Sequence, residues 1–519
     1  MKLAFSSQIK EIDSFAINSL GIPAEVLMGR SGDAVESSVR SVCPIGGSVL
    51  ILAGKGNNGG DGYAAACKLL RDYNVAILDV FSAGQKTDEG KYYLDKFLSL
   101  GGLVITPDDD TLQKRILSAD VIVDAIFGTG FLGAPPRSLA SLAIAVNSAR
   151  GIKIAVDVPL GVNADDGSVG DFVISSDITV SLSYLKPGLL SYPAKGYCGK
   201  VILDTIGMPT DAIESNMPFY NYLFDIDEAI SALPLRKANS SKGTFGKTLL
   251  ITGSSKYPGA GILTLEAALR GGAGYVTDVS DSSDIGEYIS RFPEALYARD
   301  LVSGSSFDIN AVTALSSKNN STLIGSGSLE SSELADLAEA LIKVSGAPIV
   351  IDASAINALA RYKGREVFRS AKRKVILTPH PLEFSRISDF SVDYIQSHRI
   401  SAARSFALEY GVILVLKGAS TIITDGNRLY INSTGSSALA KAGSGDVLAG
   451  LLASILAYHD DPLIASSLAV YLHGKAGDNL AERLSEFGVT PSDLPIEIAK
   501  VIREIEKQKE KQYDIYRSC

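Results

Sequence analysis

The stretch Ser48-Val49-Leu50-Ile51-Leu52-Ala53-Gly54-Lys55-Gly56-Asn57-Asn58-Gly59-Gly60-Asp61-Gly62 decides the fold. Its first six residues are a short apolar run without polar alternation, which predicts a strand buried on both faces. Glycines end the run, and Tyr63–Tyr73 then carries a helical pattern. A buried strand, a glycine turn and a helix open a βαβ unit. Further β-branched runs follow at Val75–Val80, Val121–Ile126, Ile152–Val158 and Ile178–Ser183. Together they predict a Rossmann-like, doubly wound parallel sheet in an α/β domain, with ligands at the carboxyl ends of the strands.

The chain has 519 residues. At about 150 residues per domain this length suggests two to four domains. A net charge of −9 argues against a broad nucleic-acid surface. Cys43, Cys67, Cys198 and Cys519 form no C-x-x-C pair, so neither a zinc knuckle nor a disulfide framework is expected. With only four histidines, any imidazole chemistry must use His380, His398, His459 or His473. MKLAFSSQIKEID lacks the apolar core of a signal peptide. The late apolar stretch Val447–Tyr458 is too short to span a bilayer. The expectation is a soluble, cytoplasmic protein.

After Gly207 the composition changes, with Pro209, Pro218 and Pro234 and no long periodic pattern. This predicts a first domain over 1–207 and a linker over 208–226. A second α/β series follows over 227–508, with strands at Thr248–Thr252, Tyr275–Val279, Thr322–Ile324, Pro348–Asp352, Val375–Thr378, Val412–Lys417, Thr421–Thr424 and Leu429–Asn432. Residues 509–519 form a charged tail, the end of a helical segment over Ile496–Tyr516.

Gly54, Gly56 and Gly59 fit G-x-G-x-x-G, and Asp79 stands twenty residues beyond Gly59. That spacing is the dinucleotide fingerprint and keeps an NAD dehydrogenase open as an alternative. Against it, Asp61 places a carboxylate near a helix start, where a pyrophosphate wants amides. Asp124 and Asp157 lie in two further strand-end segments, VIVDAIFGTGFLGAP and IAVDVPLGVNADDG. Acids after consecutive parallel strands converge on one crevice.

GKGNNGGDGYAAA, VDAIFGTGFLG and AVDVPLGVNADDG resemble the NAD(P)H-hydrate epimerase family, as do EIDSFAINSLGIPAEVLM and LSYLKPGLLSYPAKGYCGKVILDTIGMP. The resemblance implies potassium ligands at Asn58 and Asp124. It implies substrate contacts at Asn57, Asn58, Gly59, Gly60 and Asp61, and at Gly128, Thr129, Gly130, Phe131, Leu132, Gly133 and Ala134. Asp157 would be the substrate-binding acid, and we read it as the catalytic acid–base group. Two departures stand out. Leu160 occupies a position that is usually small and polar, leaving potassium only its backbone. Gly29-Arg30 replaces a usual Glu-Asn.

The second half holds Lys441-Ala442-Gly443-Ser444-Gly445-Asp446 before an apolar helix. Amides of Gly443, Ser444 and Gly445 at a helix N-terminus make a phosphate cradle, and Asp446 beside them can act as a base. This arrangement resembles the anion hole of ribokinase-like kinases. Gly246-Lys247-Thr248 imitates the end of a P-loop but leads into a strand and lacks the upstream glycine. KGTFGKTLLITGSSKYPGAGILTLEAALRGGAGYVT, LIGSGSLE, TPHPLEF, VLKGAST and NSTGSSALAKAGSGDVLAGLL resemble the ADP- or ATP-dependent NAD(P)H-hydrate dehydratase family. TGSSALAKAGSGD departs from the usual TGNPGMATGGSGD. The resemblance implies hydrate contacts at Ala260, Gly261, Gly327, His380 and Asp446. It implies nucleotide contacts at Lys417, Gly418, Ala419, Ser420, Thr421 and Gly445, with Mg²⁺ on the phosphates. The whole reads as a bifunctional homo-oligomer acting on NAD(P)H hydrates with ADP or ATP, Mg²⁺ and K⁺, without nucleic-acid or membrane partners. The alternative is a ribokinase-like small-molecule kinase fused to a non-catalytic Rossmann-like module.

Overall fold

The computed structural model describes residues 1–82, 84–130, 133, 135–280, 285–303 and 306–518. It divides into two compact units, Lys2–Asn221 and Tyr222–Cys519, the second including Met1. The division falls inside 208–226. That segment holds a helix, Thr210–Asn216, and a strand, Asn221–Phe224. Pro209 caps the helix, and Ile213 buries itself completely, so short elements form where the prolines suggested irregular chain.

In the first unit the strands are β1 (Ser48–Ala53), β2 (Asn74–Asp79), β3 (Leu103–Ile105), β4 (Val121–Ala125), β5 (Ile152–Val156), β6 (Ile178–Leu182) and β7 (Lys200–Asp204). They form one sheet in the order β3-β2-β1-β4-β5-β6-β7, every neighbouring pair parallel. This is the doubly wound order, which reverses between β1 and β4. Ile51, Leu52, Val121, Ile122 and Val123 are fully buried, as continuous apolar runs under helices on both faces should be. The edge strands β3 and β7 are partly exposed, and their apolar runs, LVI and VIL, are only three residues long; neither was expected as a strand.

The main sheet of the second unit includes β8 (Asn221–Phe224), β9 (Lys247–Ile251), β10 (Tyr275–Asp278), β11 (Leu296–Tyr297), β12 (Ser321–Ile324), β13 (Ile349–Ile351), β14 (Val375–Leu377), β15 (Ile413–Leu416), β16 (Ile422–Thr424) and β17 (Leu429–Asn432), and a separate antiparallel pair joins Val302–Ser303 to Ser306–Phe307. The main sheet runs β8-β17-β16-β15-β14-β13-β12-β9-β10-β11. From β15 to β11 the pairs are parallel. The β15-β16 and β16-β17 pairs are antiparallel. The fold class is therefore α/β in both units, with the doubly wound, Rossmann-like order in the first. Gly246-Lys247-Thr248 enters β9, a strand, so it is no P-loop.

The helices Pro258–Arg270 and Ser444–Leu456 carry groups of the second site and pack closely. Gly450 permits this contact: a Cβ there would lie 2.1 Å from the backbone carbonyl oxygen of Thr264. Gly450→Ala is expected to destabilise this unit by about 1–3 kcal/mol through overpacking, despite alanine's better helix propensity. Urea unfolding checks this, and an unchanged or raised midpoint contradicts it.

Candidate active sites

The first site forms where β1 and β4 diverge. After β1 the backbone turns so tightly that a Cβ on Gly54 would lie 1.9 Å from the Ile126 carbonyl oxygen. One on Gly59 would lie 2.0 Å from the Gly54 carbonyl oxygen. Only glycine allows this approach. It launches the helix Asn57–Leu69 with the Asn57, Asn58 and Gly59 amides donating to no acceptor among the described residues. Such a terminus attracts anions.

A cavity of about 610 Å³ lies there, lined by Asn57, Asn58, Asp61, Gly128, Thr129, Gly130 and Asp157, and also by Asp13, Ser31 and Lys186. Gly59 and Gly60 do not line it. They let the helix approach Gly54 and Met28. Gly133 lines a smaller neighbouring pocket of about 250 Å³. Phe131, Leu132 and Ala134 lie outside the described residues.

Asp157 sits just after β5 with φ of 66°, a left-handed backbone unusual for a non-glycine residue. Its Oδ1 accepts from the Leu182 amide at 3.3 Å and from the ammonium of Lys186, and its Oδ2 accepts from the Thr129 amide at 3.2 Å. Lys186 is 0 % exposed and also donates to the Leu182 carbonyl at 2.6 Å. Sequence reasoning missed Lys186. The signal was a lysine in the apolar setting SYLKPGLL, immediately before the helical turn Pro187–Leu190. Gly128 brings Asn58 and Asp157 together: a Cβ there would lie 3.0 Å from Asn58 Oδ1 and 3.2 Å from Asp157 Oδ2. Burial pushes the Asp61 carboxyl well above the usual carboxylate range, Asp157 and Asp13 add to this, and a hydrogen bond from Ser31 opposes it. Asp79 pairs with Lys86 at 2.8 Å, which occupies the acid that a dinucleotide ribose would need.

Asp124 is 1 % exposed and accepts from the Ile126 amide at 3.2 Å and the Leu160 amide at 2.7 Å. Among the described residues it has no ion-pair partner, and burial pushes it up to about 6. A cation would resolve that imbalance. The Leu160 carbonyl accepts the Ile174 amide at 3.0 Å, so only its second lone pair is open. The Leu160 side chain is fully buried in the core. Gly29 and Arg30 do not line the cavity. Gly29 makes room for the Tyr93 hydroxyl, and Arg30 donates to the Gly207 carbonyl at 3.1 Å.

The second site gathers the ends of β9, β12, β13, β14 and β15. Gly253, Gly261 and Gly327 crowd together where β9 and β12 diverge: a Cβ on Gly327 would lie 2.5 Å from that of Ala260. Gly443, with φ of 103°, turns into the helix Ser444–Leu456, and the Gly445 and Asp446 amides donate to no acceptor among the described residues. A Cβ on Gly445 would lie 3.5 Å from Lys417 Nζ. Lys417 also reaches Asp352 Oδ1 at 3.1 Å and Glu383 Oε2 at 3.8 Å. Burial disfavours its charge, but Asp352, Glu383 and Asp446 hold its pKa above the ordinary lysine value. Burial pushes Asp446 up to about 7, Asp352 and Glu383 add to this, and Lys417 opposes it.

Asp352 and Glu383 were also missed by sequence reasoning. Asp352 accepts from Ser326 at 2.8 Å and Thr378 at 2.7 Å besides Lys417. It follows β13 as Asp157 follows β5, so the strand-end rule could have found it. Glu383 and His380 clamp one another in a capping box: the Glu383 amide donates to His380 Nδ1 at 3.3 Å, and the His380 amide donates to Glu383 Oε2 at 2.9 Å. Burial pushes the His380 imidazole below its ordinary value, with Glu383 opposing. In the turn after β15, Gly418, with φ of 142°, packs on Arg399, which donates to the Leu416 and Lys417 carbonyls at 3.2 Å each. Ala419 is exposed, Ser420 has φ of 55°, and Thr421 donates to the Gly418 carbonyl at 3.0 Å. His473 is buried against the Ser444 backbone, and burial pushes it down to about 4. His398 stacks on Tyr394, and His459 contacts the Ala232 carbonyl.

Two α/β units, each with carboxylates at strand ends beside free amides, and the second with a kinase-type anion cradle, define a two-site α/β enzyme. The sequence family described as "NAD(P)H-hydrate dehydratase" matches residues 248–500, and that described as "YjeF-related protein N-terminus" matches residues 24–188. The bifunctional NAD(P)H-hydrate repair enzyme of Moorella thermoacetica is 32% identical over 98% of each chain. That of Escherichia coli is 30% identical over 96% of this chain and 93% of its own. The solved ADP/ATP-dependent NAD(P)H-hydrate dehydratase of Bacillus subtilis, co-crystallised with ATP and Mg²⁺, is 29% identical, covers 55% of this chain and 98% of its own, and has a TM-score of 0.49. The chain belongs to the family of bifunctional NAD(P)H-hydrate repair enzymes. No helix among its described residues is long and apolar enough to cross a membrane.

Lys186→Met removes one partner of the buried Lys186–Asp157 pair and leaves an uncompensated charge. Such losses typically cost about 3–5 kcal/mol. Urea unfolding of the variant checks this, and a change below about 1 kcal/mol contradicts it.

Proposed function

We propose that the first unit interconverts the R and S hydrates of NADH and NADPH and that the second dehydrates the S form, converting ADP to AMP and phosphate. The observation that carries the second assignment is Asp446 beside the unpartnered Gly445 and Asp446 amides, with Lys417 in reach of the same cradle. Asp446 takes the proton of the C6 hydroxyl. The freed oxygen attacks the terminal phosphorus of the nucleotide, and the Gly445 and Asp446 amides and Lys417 stabilise the transferring phosphoryl group, the Ser444 amide being spent on the Lys441 carbonyl at 3.2 Å. Phosphate then leaves C6, C5 gives up a proton, and the C5–C6 double bond returns. Lys417–Thr421 and Gly445 hold the nucleotide. Ala260, Gly261, Gly327 and His380 face the hydrate.

Asp352 and Glu383 are buried carboxylates that share one lysine, a local excess of negative charge that suits a divalent cation. Bound there on the phosphates, Mg²⁺ would neutralise the charge that develops in phosphoryl transfer. In the first unit Asn58 and Asp124 would hold K⁺, with the open lone pair of the Leu160 carbonyl as a third donor, and the ion would help fix the nicotinamide. Asp157 acts as the acid–base group that exchanges the C6 hydroxyl, and the Asn57–Asp61 and Gly128–Ala134 loops bind the dinucleotide. The domains are the epimerase over 1–207, the segment 208–226, the dehydratase over 227–508 and the tail over 509–519.

S-NADHX with ADP and Mg²⁺ is expected to regain the absorbance of reduced nicotinamide. Asp446→Asn should bind ADP normally yet lose at least about a hundredfold in turnover. Because the base must be ionised, kcat/KM for the hydrate should rise with pH through about 7. Lys417→Met should move that midpoint upward, since Lys417 favours the ionised form. Retained turnover in Asp446→Asn, or a midpoint that stays in place, contradicts the assignment.

A further inference from the structure

Inversion at C6 needs a proton delivered to the hydroxyl that leaves one face and a proton taken from the water that adds to the other. One carboxylate on one face can serve only one of these events. The first cavity offers a second. Asp13, on the helix Ser6–Asn18, lines the same cavity as Asp157 from a different element. Asp157 has both oxygens engaged, by Lys186, Leu182 and Thr129. Asp13 is partly buried and, among the described residues, has no hydrogen bond or ion pair. It nevertheless lies within the field of both Lys186 and Asp157. Burial pushes it up to about 6, Lys186 opposes this, and Asp157 reinforces it. The other ionisable groups lining the cavity are Lys10, Lys55, Asp61 and Glu89. Asp61 is buried, and burial pushes its carboxyl well above the usual carboxylate range. Asp13 is thus an acidic side chain in the cavity that no structural contact explains.

We propose that Asp13 is the second catalytic acid–base group of epimerisation, the partner of Asp157. This rests on the epimerase reading of the first unit. In one direction the Asp13 carboxylic acid gives its proton to the C6 hydroxyl. The C6–O bond breaks with its electron pair going to oxygen, water leaves, and the N1 lone pair forms N1=C6. Water then adds to C6 from the other face. The π electrons return to N1, and the water's extra proton passes to the Asp157 carboxylate. Exchange with solvent returns a proton to Asp13 and removes one from Asp157. The opposite direction runs the same steps with the two carboxyls exchanged. Atoms and charge balance, and no oxidant or reductant is required.

The test follows R/S interconversion in the full chain by chiral chromatography and, in the same preparations, ADP-dependent dehydration of S-NADHX. Asp13→Asn is close to isosteric and removes no observed contact. It should lower the interconversion kcat by about a hundredfold or more, with KM changed by less than about threefold, while dehydration of S-NADHX continues at the wild-type rate. Asp13→Glu, which keeps the carboxyl, should recover part of the lost kcat. Interconversion by Asp13→Asn within about threefold of wild type, a loss confined to KM, or an Asp13→Glu variant no faster than Asp13→Asn overturns the proposal. A wild-type chain that leaves R-NADHX unchanged overturns the epimerase reading itself, a result distinct from an active Asp13→Asn.

Discussion

A carboxylate buried at the end of a parallel strand is unstable unless something answers its charge. Both sites of this chain are organised by how that demand is met. In the first unit Asp157 is answered at once, by the fully buried Lys186 and two backbone amides. Asp124, one strand away, receives only two amides and is left with an ionisation that burial resists. In the second unit a single lysine, Lys417, stands among Asp352, Glu383 and Asp446. Its charge goes mainly to the first two by direct contact. Asp446 is then left poised near neutral pH at the mouth of an amide cradle. That division suits the chemistry: a base that must take and lose a proton works best when its pKa lies near the operating pH.

Glycine makes these arrangements possible by letting backbone approach backbone. Gly54 against Ile126 and Gly59 against Gly54 fix the first turn, and Gly450 against Thr264 seats the helix that carries Asp446. In both sheets the site sits where the strand order reverses, between β1 and β4 and between β9 and β12. At these points neighbouring connections leave toward opposite faces and open a crevice. The two units thus reach unrelated chemistry through one construction principle.

Much of this was legible in the sequence. Continuous apolar runs such as SVLILA and VIVDA announce buried parallel strands, and Asp124 and Asp157 stand out because an acid ends such a run. Asp446 is visible through its glycines. Lys186 was passed over because a lysine is by default a solvated residue, and only its apolar neighbours in SYLKPGLL hint at burial. Asp352 ends the expected strand Pro348–Asp352 and was not taken for a site residue. In the structure it stands at the N-cap of the helix Ala353–Tyr362, yet its side chain caps nothing and turns to Ser326, Thr378 and Lys417. Asp13 lies on a helix whose pattern explains only its packing face. The edge strands β3 and β7 escaped notice because their apolar runs are only three residues long, and the helix at Thr210–Asn216 because flanking prolines suggested a break. What sequence patterns carry is periodicity and burial along one segment. What they omit is the pairing of charges between segments.

The central claim is that one chain holds two carboxylate sites with separate duties, so that the second unit consumes only the epimer the first supplies. The most direct measurement is the extent of NADH recovery from a mixture of R- and S-NADHX with ADP and Mg²⁺, comparing the wild-type chain with Asp157→Asn. The account predicts that the wild type repairs the whole mixture, while the variant repairs the S fraction at the normal rate and then stalls. A variant that carries the full mixture to completion at the wild-type rate would contradict it.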